Sequence, residues 1–562
     1  MKWLCTLAAV TLTGLTVTPA SAQSGDFLAA LSATRASDPE AASRYLTAAL
    51  ERDPDQQSLV RQQISVYTIE GDYDAALPYA QDVLALNPDD ELARWVVRVA
   101  AIRRGDWDAA QAVLPVVIQT RLDEFIASVA NAAVLTGVGD IEAALVETRT
   151  GFDEKGIGPL GDYARGLIYA ASGEAEAASD ALAAFISRDP FQYPRMAEVT
   201  ANAFERSGDL ENARFVYNAL LETGARPGGQ AGIDRIEQGD PYPEALTPTP
   251  LDIYTELLFV IVRLLDDQDS PELAYRYAQE IGYLLTPEAP LFPGFSEVIA
   301  SSLLALERFE EAEAAYATLE DVPAFRFSAI LGQIQALSDQ ERYDEALARL
   351  DEAEAILGRS LAILRQRAVL LFRAEDYEAA DLAFAEWQDS VAWQDSVAQP
   401  GSAAAQTLFI AGIVSYQLED YAQMEERLES SLELDPDNPH VMNYLAYSWV
   451  ERGINLDRGF DMLMRAVELA PESGAIIDSL GWAHYQLGDY DEAVPFLEQA
   501  FQINPWSWEI AEHVADAYWQ VGRELEAEFF WNRALGLPEI PDDHVEAIRI
   551  KLVEGLSRDP AQ

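Results

Sequence analysis

A small residue returns in one register along most of this chain. Ala42, Ala76, Ala110, Ala144 and Ala178 follow one another at steps of 34 residues. The series passes through Ala213, breaks, resumes at Ala274, Ala312, Ala346 and Ala380, breaks again, and returns at Met424, Gly459, Ala493 and Ala527, which makes fourteen positions. A period of this length is too long for one strand or one short helix. It is the length of a supersecondary unit that buries its apolar face only by stacking on copies of itself.

The local signals say what that unit is. Gly71-Asp72-Tyr73-Asp74-Ala75-Ala76, Gly105-Asp106-Trp107-Asp108-Ala109-Ala110 and Gly488-Asp489-Tyr490-Asp491-Glu492-Ala493 each place a glycine, which tolerates a left-handed turn, before an aspartate that can cap the next helix. About twelve residues past the marker, Pro54, Pro88, Pro190, Pro436 and Pro505 stop the second helix. Each period therefore reads as helix, turn, helix, stop. With 49% apolar residues such a chain has material for a continuous core, so its formal charge of −57 does not signal a disordered acidic tail. The excess of 95 acidic over 38 basic side chains repels nucleic acid and anionic lipid. It favours neutral or basic partners.

The clearest unit is Asp478-Ser479-Leu480-Gly481-Trp482-Ala483-His484-Tyr485-Gln486-Leu487-Gly488, followed by Ala493, Leu497, Ala500 and Pro505. It resembles the tetratricopeptide repeat (TPR). The resemblance implies an all-α fold, a right-handed superhelix of about fourteen helix-turn-helix repeats, whose concave face receives peptides or helices of partner proteins. Arg98 and Ile64 depart from the pattern where a small residue is usual, and Met424 replaces a marker alanine. The stretch Asn443-Tyr444-Leu445-Ala446-Tyr447-Ser448-Trp449-Val450, with the run from Asp478, looks like a group of exported Gram-negative TPR proteins without settled activity.

Residues 1–22 have the form of a secretory signal: Lys2, an apolar stretch, then Ala20-Ser21-Ala22 before Gln23. Export to the periplasm is the expectation. The single cysteine, Cys5, lacks the Leu-small-small approach of a lipoprotein and is lost on cleavage, leaving no disulfide framework. Residues 23–223 read as a first segment of about six repeats and 224–250 as a Pro/Gly-rich linker or loop. Residues 251–540 read as a second segment of about eight repeats with an insertion near 385–405, where residues 387–392 are copied at once as 393–398. Residues 541–562 read as a capping helix and tail.

In a stacked helical pair the first helix lines the inner wall. Spacing by 3, 4 and 3 gives wall stripes Ala475, Asp478, Trp482, Tyr485; Gln406, Phe409, Ile413, Tyr416; His440, Asn443, Tyr447, Val450; and Glu509, Glu512, Asp516, Trp519. The expected protein-binding groove is Phe409, Tyr416, Asn443, Tyr447, Asp478, Trp482, Tyr485, Glu512, Asp516 and Trp519, with large aromatics as anchors among acids. Packing against the next helix is the alternative for Trp482 and Trp519. Trp449 and Trp531 fall on the core face, as does His484. The four histidines include no pair at i, i+4, and no nucleophile elbow or phosphate loop occurs. The reading is accordingly non-catalytic, without cofactor or metal: an envelope scaffold binding protein segments and assisting assembly or secretion, or alternatively an accessory subunit regulating an envelope enzyme such as one acting on wall polymer.

Overall fold

The computed structural model describes residues 25–35, 38–53, 56–114, 120–188, 194–222, 226–243, 247–266, 270–286, 289, 292–323, 325–390, 403–538 and 540–557. The expected signal segment 1–22, the tail 558–562 and the second copy of the tandem sequence lie outside them. The chain is 81% helical, with 30 helices and no strand among the described residues, so the repeat is a helical pair.

Each feature of the repeat has its local cause. The turn backbone is left-handed at Gly71, Gly105, Gly139, Gly173, Gly208, Gly488 and Gly522. Four repeats place glutamate there instead, Glu307, Glu341, Glu375 and Glu419, at φ near 60°, a conformation that costs an L residue roughly 1–2 kcal/mol. The carboxylates of Asp72, Asp106, Asp140, Asp376 and Asp420 then accept the amide three residues on, capping the second helix. Asp489 occupies the same place without that bond. All fourteen marker positions are buried.

A second small residue lets the paired helices cross closely. A Cβ on Gly166, Gly412 or Gly481 would fall 2.4, 2.6 or 2.7 Å from the side chain of Leu182, Leu428 or Leu497, in each case sixteen residues on. Gly481→Val is thus expected to overpack the pair and cost about 1–3 kcal/mol. Thermal unfolding followed by circular dichroism measures this, and an unchanged midpoint would refute the close approach.

The chain divides into two compact units, Met1–Arg342 and Tyr343–Gln562. The division therefore falls between Arg342 and Tyr343 rather than within 224–250. The expected linker instead contains the helix Arg226–Gln238. Its glycines read as breakers but serve as contact points: a Cβ on Gly232 would meet the Tyr217 ring at 2.3 Å, and one on Gly229 the Tyr217 carbonyl at 2.8 Å. Arg235 completes the packing with an ion pair to buried Glu205, 2.7 Å away.

Within the first unit the chain doubles back. The helix Pro250–Asp266 is buried on every side, from Ile253 through Leu258 and again from Val260 to Val262. It packs on the first helices of earlier repeats, Arg121–Gly137 and Gly158–Ser172. Its partner Pro271–Leu284 packs on Gln57–Ile69 and Glu91–Arg103. One continuous core joins them. A helix enclosed by others is apolar over most of its circumference, and the one buried charge here, Glu256, is paired with Arg195.

Candidate functional site

In the second unit, first helices of successive repeats stand side by side: Ala403–Gln417, Pro439–Glu451, Gly474–Gln486 and Trp508–Gln520, followed by the terminal helix Asp542–Glu554. At about 100° per residue, positions three apart on a helix lie about 60° apart around it. A stripe spaced 3, 4, 3 therefore straddles two faces. One face looks inward and the other toward the neighbouring repeat.

Within the expected groove the structure separates long aromatic side chains from short acidic ones. Phe409, Tyr416, Asn443, Tyr447, Trp482, Tyr485 and Trp519 remain half-buried, whereas Asp478, Glu512 and Asp516 are buried. The three acids turn sideways. Asp478 Oδ2 lies 2.9 Å from His513 Nδ1. Asp516 accepts from Trp531 Nε1 at 2.7 Å and Lys551 Nζ at 2.6 Å, and Glu512 accepts from the same ammonium at 2.7 Å and faces His544 Nδ1 at 3.1 Å. These acids hold repeats together and are not open to a guest. Val450, placed on the wall by spacing, is core at 2% exposure. Trp519 is tied to the chain end: its indole donates to the Leu556 carbonyl at 2.8 Å, and its ring fills the space where a Cβ of Gly555 would lie. Trp449 and Trp531 are fully buried, as their phase requires, and His484 stacks on Phe496 with ring centroids 5.4 Å apart.

The inward face is thus an aromatic ladder edged with carboxylates. Phe409 and Tyr416 each meet Tyr444 edge to face, at 5.8 and 5.6 Å, and the Tyr416 hydroxyl donates to Glu451 at 2.6 Å. Trp482 is stacked between Tyr485 at 4.5 Å and His513 at 4.0 Å. Burial, then the nearby charges of Glu509, Glu451 and Asp478, push the Tyr447 phenol well above its ordinary value. Desolvation against the wall raises the carboxyl of solvent-accessible Glu509, with His513 opposing and Asp478 adding to the shift. Burial alone would lower the His513 pKa, but the Asp478 carboxylate outweighs it and the net shift is upward. Asn443 Oδ1 and Asp478 Oδ1 are buried without a hydrogen-bond partner.

Spacing had missed Glu451, His513 and Lys551 as partners of the wall. A signal for them was present: Tyr416 and Glu451, Asp478 and His513, Asp516 and Lys551, and Tyr485 and Gln520 are each 35 residues apart. Lateral neighbours on adjacent first helices are therefore one repeat and one residue apart.

The first unit has a wall of the same kind, but it is occupied. The Glu280 carboxylate, 0% exposed on the doubled-back helix, accepts from Trp95 Nε1 at 2.9 Å and from Tyr254 Oη at 2.5 Å. Arg98 is buried within electrostatic reach of it, and the Arg276 guanidinium sits 4.3 Å over the Trp95 ring. Glu256 accepts from Arg195 Nε at 2.8 Å, and Tyr283 donates to Asp74 at 2.7 Å. The departure at Arg98 thus has a structural reason. It faces a buried acid instead of a neighbouring small residue.

Family models described as tetratricopeptide repeat match residues 27–91 and 163–229, 67–124, and 476–505. Over these residues the chain carries tetratricopeptide repeats. It is 30% identical over 188 residues to a TPR repeat-containing protein of Pseudomonas aeruginosa, a match covering 34% of this chain and 30% of that protein. It is 22% identical over 187 residues to the human mitochondrial import receptor subunit TOM70, covering 32% of this chain and 29% of the relative. The chain thus spans under a third of the length of either. A chain in the crystal structure of the APC/C hetero-tetramer Cut9–Hcn1 aligns with 14% identity and a TM-score of 0.38 over 93% of this chain and 95% of that one. TPR repeats form protein–protein interaction scaffolds and are typically non-catalytic. Among the described residues no helix is long and apolar enough to cross a membrane, and no cluster of metal-ligating side chains occurs.

Proposed function

We propose that this TPR protein is a non-catalytic scaffold of the cell envelope, exported by its first 22 residues with cleavage at Ala22/Gln23, and that the inner wall of its second unit holds segments of other envelope proteins. Assistance in their assembly or secretion is the role this reading assigns. The observation that carries it is the ladder of half-open aromatics, Phe409, Tyr447 and Trp482, beside the accessible carboxylate of Glu509. Aromatic rings give a guest large contact area at small entropic cost, and the acids select neutral or basic segments. The formal charge of −57 supports the same choice and disfavours nucleic acid.

The wall is tested with a photocrosslinking amino acid at position 486, at the exposed end of the helix Gly474–Gln486. Tyr447→Ala with Trp482→Ala is expected to leave helicity unchanged and to remove the adduct, each truncation costing more than about 1 kcal/mol of binding. Trp519 is unsuited to this test because it secures the chain end. An adduct that persists in the double variant would discard the wall. Osmotic-shock release and N-terminal sequencing test location separately, and a cytoplasmic chain that keeps Met1 would refute export.

A further inference from the structure

The concave wall of the first unit is filled by a segment that arrives from far along the chain. Trp95 and Glu280 are 185 residues apart, and Asp74 and Tyr283 are 209 apart. Neighbouring repeats explain neither contact, since lateral partners elsewhere are 35 apart. The seam also differs from the small-residue packing inside a repeat. Buried carboxylates of the incoming hairpin meet cations and aromatic donors of the wall: Glu256 meets Arg195 at 2.7 Å, and Glu280 meets Trp95 with Arg98 nearby. The Tyr73 hydroxyl and the Nε atoms of Arg98 and Arg276 are buried there without hydrogen-bond partners. Buried ion pairs between segments that no repeat period connects, with donors left unpaired beside them, set this seam apart from the small-residue contacts within a repeat, although apolar side chains of both sides also share one core.

We propose that the inner wall formed by the first helices of residues 57–207 is a receptor for a helical hairpin that presents buried carboxylates, and that residues 250–284 are its resident, displaceable occupant. The wall supplies Trp95, Arg98 and Arg195, and the occupant supplies Tyr254, Glu256 and Glu280. In this state the first wall is closed to external segments. An incoming hairpin of the same chemistry must first displace the resident one. The inference goes beyond the proposed function, which rests on the second unit alone.

A charge exchange in the full chain tests it. Glu256→Arg opposes Arg195 and releases the resident hairpin, so a labelled peptide of residues 250–284 carrying the natural Glu256 should bind this variant about tenfold or more tightly than the parent, because occupancy lowers the competent fraction. Adding Arg195→Glu restores an ion pair within the chain and should return capture to the parental level. Capture equal in parent and Glu256→Arg, or unchanged by Arg195→Glu, would overturn the proposal. So would loss of helicity throughout residues 25–342 in Glu256→Arg, since the hairpin would then be an obligate part of the fold. Hydrogen exchange of the unaltered protein gives an independent arm. Amides of 250–284 should open as one unit ahead of those in 57–103 and 121–172, and exchange of all these segments at one common rate would refute displacement.

Discussion

Lys551→Met is expected to destabilise the second unit by about 3–5 kcal/mol at neutral pH, because it strands two buried carboxylates on one helix. The Lys551 ammonium sits 2.7 Å from Glu512 and 2.6 Å from Asp516, whose side chains are only 9% and 6% exposed. Methionine keeps the apolar stem, so the loss reports charge. Burial disfavours the ammonium, but Asp516 and Glu512 outweigh that and raise its pKa. Its contribution is therefore fully present below the ordinary lysine value and is lost as pH climbs through the raised one. Asp516 behaves in the opposite sense. Burial raises its carboxyl above 3.8 while Lys551 opposes the shift, so in the variant the carboxyl rises further and protonates sooner on acidification. The gap between variant and parent in urea unfolding should hence narrow steadily from pH 7 toward pH 5. A gap that stays constant across that range would show that charge is not the cause.

Glu280→Ala is expected to cost the first unit a similar amount, about 3–5 kcal/mol, since it removes the acceptor of Trp95 and Tyr254 and leaves Arg98 buried without its acid. Glu280→Gln should cost less, because the amide oxygen still accepts. The two differ from the parent in pH dependence as well. Desolvation raises the Glu280 carboxyl above 4.5, against hydrogen bonds from Tyr254 and Trp95 and the charge of Arg98. A folded state that holds a proton longer than the unfolded chain gains stability as pH falls from the raised value toward the ordinary one. The parent should therefore become more stable on mild acidification, and the glutamine variant should show less of this gain. Denaturant midpoints at several pH values read both. A loss below 1 kcal/mol for alanine, or identical pH profiles for parent and Gln variant, would contradict the buried acid.

The repeat was legible in the sequence because its determinants are local. The marker alanines, the turn glycines, the capping aspartates and the crossing glycine with a leucine sixteen residues later all act within one helical pair, and each left its period in the chain. Trp449 and Trp531 could be assigned to the core from phase alone. The wall was legible only in part. Spacing identifies a helix side and no more: Asp478 and Trp482, about 40° apart, both lie against His513 of the next repeat, yet the short carboxylate is buried there while the larger ring stays half-buried.

What only the tertiary structure decided was which surface is covered by a distant segment. Arg98 and Glu280 carry no mark of each other at a separation of well over a hundred residues, since docking a distant hairpin depends on how the accumulated turns of earlier repeats curve, not on any periodic pattern. A Gly-rich stretch likewise reads as a break, but the space at Gly229 and Gly232 is taken by Tyr217. By itself the sequence determined the repeating unit, its register and the residues buried within one helical pair, because these follow from contacts one helical pair long, but not Asp478, Glu512 and Asp516, which are buried between repeats. The tertiary structure alone determined that residues 250–284 lie on the first wall, because that outcome rests on contacts between segments no period connects.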